Sequence, residues 1–180
     1  MNRWRIDKGL IHVYTGAGKG KTTAALGLAL RALGWGARVC VVQFIKGYAD
    51  IGEARFAGAF GERFVLRQFA SDNARVISEH DVRARRREAH DAMEFAEGAV
   101  GGGEYDVVIL DEINNALHYG LLDMSRVLAM LKNRPKRVEV VLTGRNAPPD
   151  IIEAADYVTE MRPVKHPHKR GVNAREGVDY

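Results

Sequence analysis

The stretch TGAGKGKTT, Thr15–Thr23, decides how the rest of this 180-residue sequence is interpreted. It lies between the apolar, β-branched run Leu10–Thr15, which predicts a buried strand, and Thr22–Leu33, whose apolar spacing and following Gly34 predict a helix. A glycine-rich turn from a strand into a helix points backbone N–H groups and a helix N-terminus at one spot, where an anion is stabilised. The sequence therefore predicts a phosphate-binding loop, since a turn without a ligand has no need of Gly-Lys-Thr-Thr.

Each residue type in this loop has a chemical reason to be there. The glycines allow turns that a Cβ would forbid, so the backbone can come close to phosphate oxygens. Lys21 supplies a compact positive charge, and the hydroxyl of Thr22 can ligate Mg²⁺. The candidate nucleotide-binding residues of the loop are Gly16, Ala17, Gly18, Lys19, Gly20, Lys21, Thr22 and Thr23.

The loop departs from the usual spacing in one respect. The common pattern has a glycine, four residues and then Gly-Lys-Thr, and counting back from Gly20 puts Thr15 where the first glycine belongs. Because Gly16 comes one place late, the loop is expected to be either one residue tighter or bent differently. The path of a bound triphosphate along it need not be the usual one.

A second motif, VVILDE at Val107–Glu112, is an apolar run that ends in two carboxylates. Taken alone, this pattern is equally typical of an ordinary strand end. In an alternating α/β chain with a phosphate loop upstream, carboxylates at a strand end hold Mg²⁺ directly or through water. Glu112 or Asp111 is therefore expected to complete a metal site with Thr22.

Arg145 lies in a third stretch of interest, the segment LTGRNAPPDI that follows another predicted strand. Its planar guanidinium can pair with a phosphate through two hydrogen bonds, or it can cap surface carboxylates. Both interpretations remain open for this residue.

Strands and helices alternate along the chain. This pattern predicts one α/β domain over residues 1–180, with a three-layer, mostly parallel sheet covered by helices on both faces, of the P-loop NTPase (RecA-like) type. Further strands are predicted at Arg38–Phe44, Phe64–Phe69, Asp106–Leu110, Val138–Leu142 and Tyr157–Met161, and further helices at 79–100, Met124–Lys132 and Asp150–Ala155.

The predicted helix 79–100 has two distinct faces. Its inner face is apolar at helical spacing, through Ala89, Ala92, Met93, Ala96 and Val100. Its outer face is expected to carry Arg83, Arg85, Arg86 and Arg87 beside acidic residues, a pattern more typical of a solvated, self-paired surface than of a phosphate site.

The charge of the chain is mildly positive, with 27 Lys and Arg against 23 Asp and Glu, a net of +4. Residues 162–180 hold five basic and two acidic residues, so most of the excess lies in this tail. Composition therefore gives only weak support to a nucleic-acid-binding surface. No apolar run reaches the roughly 18 residues of a membrane span, and the first residues lack signal-peptide character, so a cytoplasmic protein is expected.

Five segments of the chain together resemble the P-loop ATP:corrinoid adenosyltransferases, which act on cob(I)alamin or its precursor cob(I)yrinic acid a,c-diamide. They are spread over nearly the whole sequence, and the last is specific, because a generic nucleotide-binding domain has no reason to end in this way. The segments are VYTGAGKGKTTAALGLALRALGWG (13–36), VVQFIKG (41–47), VVILDEINNALHYGLL (107–122), VLTGRNAPPDIIEAADYVTEMRPVKH (141–166) and GVNAREGVDY (171–180).

The resemblance implies an activity and a set of roles. It implies that ATP is held in the reverse sense along the short loop, with the triphosphate on Gly16–Thr22 and with Mg²⁺ on Thr22 and Glu112. Arg31 is a possible nucleotide contact, although it equally fits an ordinary exposed helix residue. The resemblance also implies a homodimer and a separate reductase or electron donor. Neither a membrane nor a nucleic acid is expected as a partner.

The implied reaction is the transfer of the 5′-deoxyadenosyl group of ATP to the Co(I) centre of a corrinoid, in adenosylcobalamin biosynthesis or salvage. Lys21, Thr22 and Glu112 are the expected catalytic residues. The rival interpretations are a RecA-like ATPase or kinase, in which Glu112 orients water or an acceptor hydroxyl, and a nucleic-acid-binding module.

One segment departs from the family pattern. Family members often carry an aromatic segment after the third strand, thought to help displace the lower cobalt ligand, whereas residues 70–76 here are ASDNARV. Either Phe69, Trp35 or Tyr48 is expected to take that role, or the protein is expected to prefer incomplete corrinoids without a lower base.

Overall fold

The fold is built on one sheet of six parallel strands in the order β3-β2-β4-β5-β1-β6. The computed structural model describes residues 4–45, 51–70 and 79–178. The mostly parallel sheet of the prediction is therefore parallel throughout the described strands. The strands are β1 Ile11–Thr15, β2 Val39–Gln43, β3 Phe64–Gln68, β4 Val107–Asp111, β5 Glu139–Thr143 and β6 Tyr157–Glu160.

Helices connect these strands, as the alternating pattern predicted. They are α1 Lys21–Gly34, α2 Gly52–Ala57, α3 Glu79–Gly101, α4 Ile113–His118, α5 Met124–Asn133 and α6 Pro149–Ala154, with 3₁₀ turns at Gly58–Arg63 and Pro167–Arg170. The sequence did not predict α4, because its six residues are too few to show a helical period. In the described ranges no helix is both long and apolar enough to cross a bilayer.

Two apolar clusters, one on each face of the sheet, form the core. Alternate residues of β2 point to opposite faces, so Val39 and Val41 pack in the cluster that contains α1, while Cys40 and Val42 pack in the cluster that contains α3 to α6. The sheet thus lies between two helical layers, and the predicted three-layer α/β fold of the P-loop NTPase type is confirmed. Burial in this cluster raises the pKa of the Cys40 thiol to about 12, so the thiol is a packed core group.

The inner face of α3 is buried as predicted, but one residue assigned to its outer face is not exposed. Arg85 is 8% exposed and pairs with Glu88 at 3.2 Å. Position 85 lies one helical turn before Ala89, so Arg85 extends the buried stripe, whereas Arg83, Arg86 and Arg87 are exposed.

All six strands run in the same direction, so their last residues lie along one edge of the sheet, here called the carboxyl edge, and their first residues along the opposite, amino edge. The phosphate loop follows β1, and the two carboxylates of the second motif stand at the end of β4. The topology therefore brings both predicted motifs to the carboxyl edge, where open parallel sheets bind their ligands.

Candidate active site

The shape of the phosphate loop depends on its glycines and on the chain that leaves β6. Gly16 and Gly20 have φ of 95° and 114°, and a Cβ on Gly16 would lie 2.5 Å from the carbonyl oxygen of Met161. The Gly18 N–H donates to that same carbonyl at 2.7 Å, and the Met161 N–H donates to the carbonyl of Thr15 at 2.8 Å. A side chain at position 16 would break this close approach, which explains the glycine there.

The two lysines of the loop have different surroundings. The ammonium of Lys21 donates to the carbonyls of Gly16 at 2.8 Å and Gly18 at 2.7 Å, so its charge is fixed inside the turn of the loop. The ammonium of Lys19 instead donates to the carbonyl of Val178 at 2.8 Å. Lys19 therefore ties the loop to the C-terminal tail, while Lys21 is positioned for an anion on the loop.

A cluster of polar side chains surrounds the buried carboxylate of Asp111. Its Oδ1 accepts from the hydroxyls of Thr22 at 2.8 Å and Thr143 at 2.6 Å, and its Oδ2 accepts from Nε2 of Gln43 at 3.2 Å. Asp111, Thr143 and Gln43 are the last residues of β4, β5 and β2, and Thr22 lies in the first turn of α1. The cluster thus joins the phosphate loop to three neighbouring strand ends.

Glu112 lies in a different environment from its neighbour. It adopts the left-handed conformation, with φ of 64°, and begins α4. Its backbone N–H donates to the Thr143 hydroxyl oxygen at 3.0 Å, and its side chain faces the cavity above the loop. Asp111 is therefore fully buried below the site, whereas Glu112 is at its wall.

A cavity of about 530 Å³ lies over these residues. One wall is the loop, and another is the segment after β5, where the Arg145 N–H donates to Oδ1 of Asn115 at 2.5 Å. The C-terminal tail closes a third side. The lining residues are Ala17, Gly18, Lys19, Gly20, Lys21, Thr22, Thr23, Glu112, Asn115, Thr143, Gly144, Arg145, His166, Pro167, Val172, Asn173, Ala174 and Arg175.

Nine of the twelve predicted site residues line this cavity, two lie just below it, and one lies away from it. The two residues below the cavity are each bonded to a residue that lines it. The carbonyl of Gly16 accepts a hydrogen bond from Lys21, and the carboxylate of Asp111 accepts one from Thr22. Arg31 is exposed on α1, about 15 Å along the helix axis from Lys21, and does not line the cavity. Its contact with the nucleotide stays a prediction that this geometry does not support.

Sequence reasoning missed Thr143, Gln43 and Asn115, and it assigned no individual residue of the tail to the site. Thr143 and Gln43 end strands that flank β4, so the strand order would have identified them. The family-specific tail was the signal for the remaining wall, because it carries His166 and Arg175 to the cavity.

An apolar groove of about 390 Å³ borders the cavity and shares Thr22 and Thr23 with it. It runs between α1 and α2 and is lined mainly by apolar side chains, among them Leu26, Leu30 and Phe56. Val178 of the tail reaches its rim.

Two of the three aromatic residues proposed to replace the missing segment lie away from the cavity and the groove. Trp35 ends α1, about 21 Å along the helix axis from Lys21, and Phe69 packs on Phe95 with ring centroids 5.6 Å apart. Tyr48 and residues 71–76 lie outside the described residues. Neither Trp35 nor Phe69 lines the groove or the cavity.

Comparison with known proteins decides the enzyme class. A family model described as ATP:corrinoid adenosyltransferase BtuR/CobO/CobP matches residues 7–180. The chain belongs to the ATP:corrinoid adenosyltransferase family. A member of this family is an enzyme that uses ATP to adenosylate a corrinoid, and the predicted family, activity and enzyme class are confirmed.

Relatives of this adenosyltransferase family match nearly the full chain. A corrinoid adenosyltransferase of Pseudomonas aeruginosa is 41% identical over 98% of this chain and 86% of its own length. A corrinoid adenosyltransferase of Escherichia coli K12 is 40% identical over 97% of this chain and 87% of its own length.

Among solved structures, the flagellar accessory protein FlaH of Methanocaldococcus jannaschii superposes with a TM-score of 0.56 at 13% identity, over 86% of this chain and 72% of the other. At that identity the likeness shows the shared fold alone.

Proposed function

We propose that this chain transfers the 5′-deoxyadenosyl group of ATP to the Co(I) centre of a corrinoid and releases inorganic triphosphate, in adenosylcobalamin biosynthesis or salvage. The observation that carries the proposal is the position of Lys21 and the Thr22–Asp111 pair at one cavity, in a chain of this family. In the reaction, the cobalt electron pair forms the Co–C bond, and the C5′–O bond breaks with its electron pair going to the triphosphate.

Lys21 and the loop N–H groups stabilise the charge that grows on the leaving triphosphate. The lysine ammonium is already held at the loop by two carbonyl contacts of 2.7 and 2.8 Å, so little reorganisation is required when a phosphate takes their place. Preorganised donors of this kind are among the largest contributions to catalysis. Arg145 on the opposite wall supplies a second cation for the same anion.

The donor set of Thr22, Asp111 and Glu112 fits Mg²⁺, which prefers oxygen ligands. The Thr22 hydroxyl donates its hydrogen bond to Asp111, so its oxygen lone pairs are left for a cation at the loop. Within the described ranges no three His, Cys, Asp or Glu side chains cluster as a metal cage, so phosphate oxygens and water would complete the shell. Mg²⁺ bound there would neutralise part of the triphosphate charge.

The apolar groove supplies the water-poor surface that a Co(I) corrinoid requires beside the nucleotide. It adjoins the cavity at Thr22 and Thr23, so a corrinoid against Leu30 and Phe56 would stand next to bound ATP. The protein then needs no side-chain nucleophile, because orienting the cobalt in line with the C5′–O bond is the main task.

The proposal includes several further properties. One domain over residues 1–180 and a cytoplasmic location are expected from sequence pattern and composition, whereas a homodimer and a separate reductase or electron donor are implied by the family resemblance. Sedimentation of the purified chain tests the dimer, and fractionation of cells tests the location.

Analysis of the products of one incubation tests the reaction. The chain, ATP, Mg²⁺ and a chemically reduced corrinoid should give triphosphate and an adenosyl–cobalt bond in equal amounts, and the same mixture with oxidised corrinoid should give neither. Production of ADP in both mixtures would instead support the ATPase or kinase interpretation. Steeply salt-dependent binding of DNA or RNA would support the nucleic-acid interpretation.

A further inference from the structure

Gln43 is a fully buried side chain between two carboxylates of the site. It ends β2, and its Nε2 donates to Oδ2 of Asp111 and to Oε1 of Glu53, at 3.2 Å in each case. Asp111 belongs to the polar cluster below the cavity, and Glu53 lines the apolar groove. Gln43 therefore connects the nucleotide side of the site with the wall of the groove.

These two contacts determine which way the amide of Gln43 faces. Carboxylates only accept hydrogen bonds, so the NH₂ group must face both of them and the oxygen must lie on the other side. That oxygen, Oε1, is buried and accepts no hydrogen bond from any described residue. An acceptor that is buried without a donor is unfavourable and calls for an explanation, such as a bound water or ion.

We propose that Gln43 is a positioning residue of the Mg²⁺–triphosphate site. Its Nε2 holds Asp111 in the orientation that receives the Thr22 hydroxyl, and its Oε1 accepts a hydrogen bond from a water molecule of the Mg²⁺ shell. Mg²⁺ keeps several of its waters when it binds a nucleotide, and each water is a strong donor that needs an acceptor. The inference rests on the proposed function, because it assumes that Mg²⁺ accompanies ATP at this loop.

The choice of an amide at this position follows from charge. A glutamate at position 43 would put a third carboxylate beside Asp111 and Glu53 and would remove the hydrogen bond that Nε2 of Gln43 donates to each of them. A leucine would hold neither carboxylate and would offer no acceptor to water. Glutamine supplies the donor and the acceptor without adding charge.

The test measures cation binding directly. Mg²⁺ is titrated calorimetrically into the chain saturated with ATP, for the wild type, for Gln43→Leu and for Glu53→Gln as a matched control. Gln43→Leu should weaken Mg²⁺ about tenfold, the size expected when a residue behind a metal site is removed, while ATP binding without metal stays unchanged. Glu53→Gln keeps an acceptor for Nε2 and should bind Mg²⁺ like the wild type.

A purely structural role for Gln43 predicts a different pattern. Gln43→Leu would then change the unfolding temperature and leave the Mg²⁺ affinity as in the wild type, and that result would overturn the proposal. If Gln43→Leu does not fold, Gln43→Asn replaces it, because the shorter amide cannot span both carboxylates. Gln43→Asn should show the same weakening, and wild-type Mg²⁺ affinity in it would also overturn the proposal.

The product assay on the wild type separates this inference from the proposed function. If the wild type forms no adenosyl–cobalt bond but Gln43→Leu still weakens Mg²⁺, the reaction is wrong and the positioning role stands. If the wild type forms the bond and Gln43→Leu binds Mg²⁺ normally, the reaction stands and the positioning role is wrong.

Discussion

The two edges of the sheet each bury a carboxylate, but they give it different partners. At the carboxyl edge, Asp111 accepts from two hydroxyls and one side-chain amide. At the amino edge, Glu139 accepts from the backbone N–H of Leu10 at 2.8 Å and lies 2.5 Å from the ring nitrogen of His12. A backbone N–H is fixed by the sheet, whereas a hydroxyl can rotate toward a ligand.

Other carboxylates of the amino edge follow the same rule. Asp156 accepts from the N–H of Ile11 at 2.8 Å, and Asp106 accepts from the N–H of Arg38 at 2.9 Å. Each one satisfies a backbone donor where a strand begins or is about to begin. Carboxylates at this edge therefore complete the fold, and the carboxylate at the other edge is left able to exchange partners.

The largest effect is expected for Lys21→Ala at the carboxyl edge. Loss of the ammonium from the loop should lower turnover about 10²- to 10³-fold at saturating ATP and Mg²⁺, because one preorganised cation facing the triphosphate is removed. The rate of adenosyl–cobalt formation measures it. Lys136→Ala, at an exposed lysine of the amino edge, is the control and should keep wild-type turnover. Wild-type turnover in Lys21→Ala would refute the triphosphate role.

Neutralising one carboxylate at each edge should separate activity from stability. Asp111→Asn should lower turnover about tenfold or more through a weakened cation site, and it should also lose about 1.5–3 kcal/mol of stability, because a charged hydrogen-bond acceptor is lost. Glu139→Gln should keep turnover and lose about 1.5–3 kcal/mol of stability, because a charged hydrogen-bond acceptor is lost. Urea unfolding and the rate assay together check both variants. An equal loss of turnover in the two variants would contradict the different roles assigned to the two edges.

One glycine at each edge allows the two edges to be compared by straining the backbone. A Cβ on Gly9, at the amino edge, would lie 2.3 Å from the carbonyl of Val138, and a Cβ on Gly16 would lie 2.5 Å from the carbonyl oxygen of Met161. Alanine at either position should cost about 1–3 kcal/mol of unfolding free energy through strain. Only Gly16→Ala should also lower turnover per folded molecule, and a turnover loss of the same size in Gly9→Ala would contradict the assignment.

The smallest effect is expected at a surface ion pair that belongs to neither edge. Glu97 accepts from Arg126 at 2.7 and 2.8 Å, and this hydrogen bonding holds the pKa of Glu97 below its ordinary value of 4.5. The stability that the pair contributes is therefore present above that value and is lost as the pH falls through the lowered pKa. Glu97→Gln should cost less than about 1 kcal/mol at pH 7, and the cost should shrink below pH 4.5 in urea titrations. A cost that is independent of pH would argue against the ion pair.

The sequence predicted the parts of the fold that depend on local pattern. The strand before the loop, the apolar stripe of α3 and the alternating order all follow from spacing along the chain, and the structure confirms them. The short helix α4 was missed because six residues show no period. Arg85 was assigned to the wrong face because an arginine is rarely buried.

The candidate site could be predicted only where its residues form motifs. Lys21, Thr22 and Glu112 stand in recognisable stretches, and the structure brings them to one cavity. Gln43 and Thr143 have no motif of their own, and they join the site because β2 and β5 flank β4 in the sheet. The order of strands is set by long-range packing, which local spacing does not encode.

The position of the last strand has a practical consequence. β6 runs parallel to β1, and the carbonyl of Met161, the residue after β6, accepts a hydrogen bond from the phosphate loop. The chain consequently enters the sheet at the amino edge near Gly9, and residues 171–178 pass beside the cavity over the phosphate loop. An affinity tag or surface tether attached after the tail would therefore lie beside this cavity and the apolar groove next to it. The same attachment ahead of β1 would lie at the amino edge, on the opposite side of the sheet from the cavity. An immobilised enzyme should therefore be anchored ahead of β1.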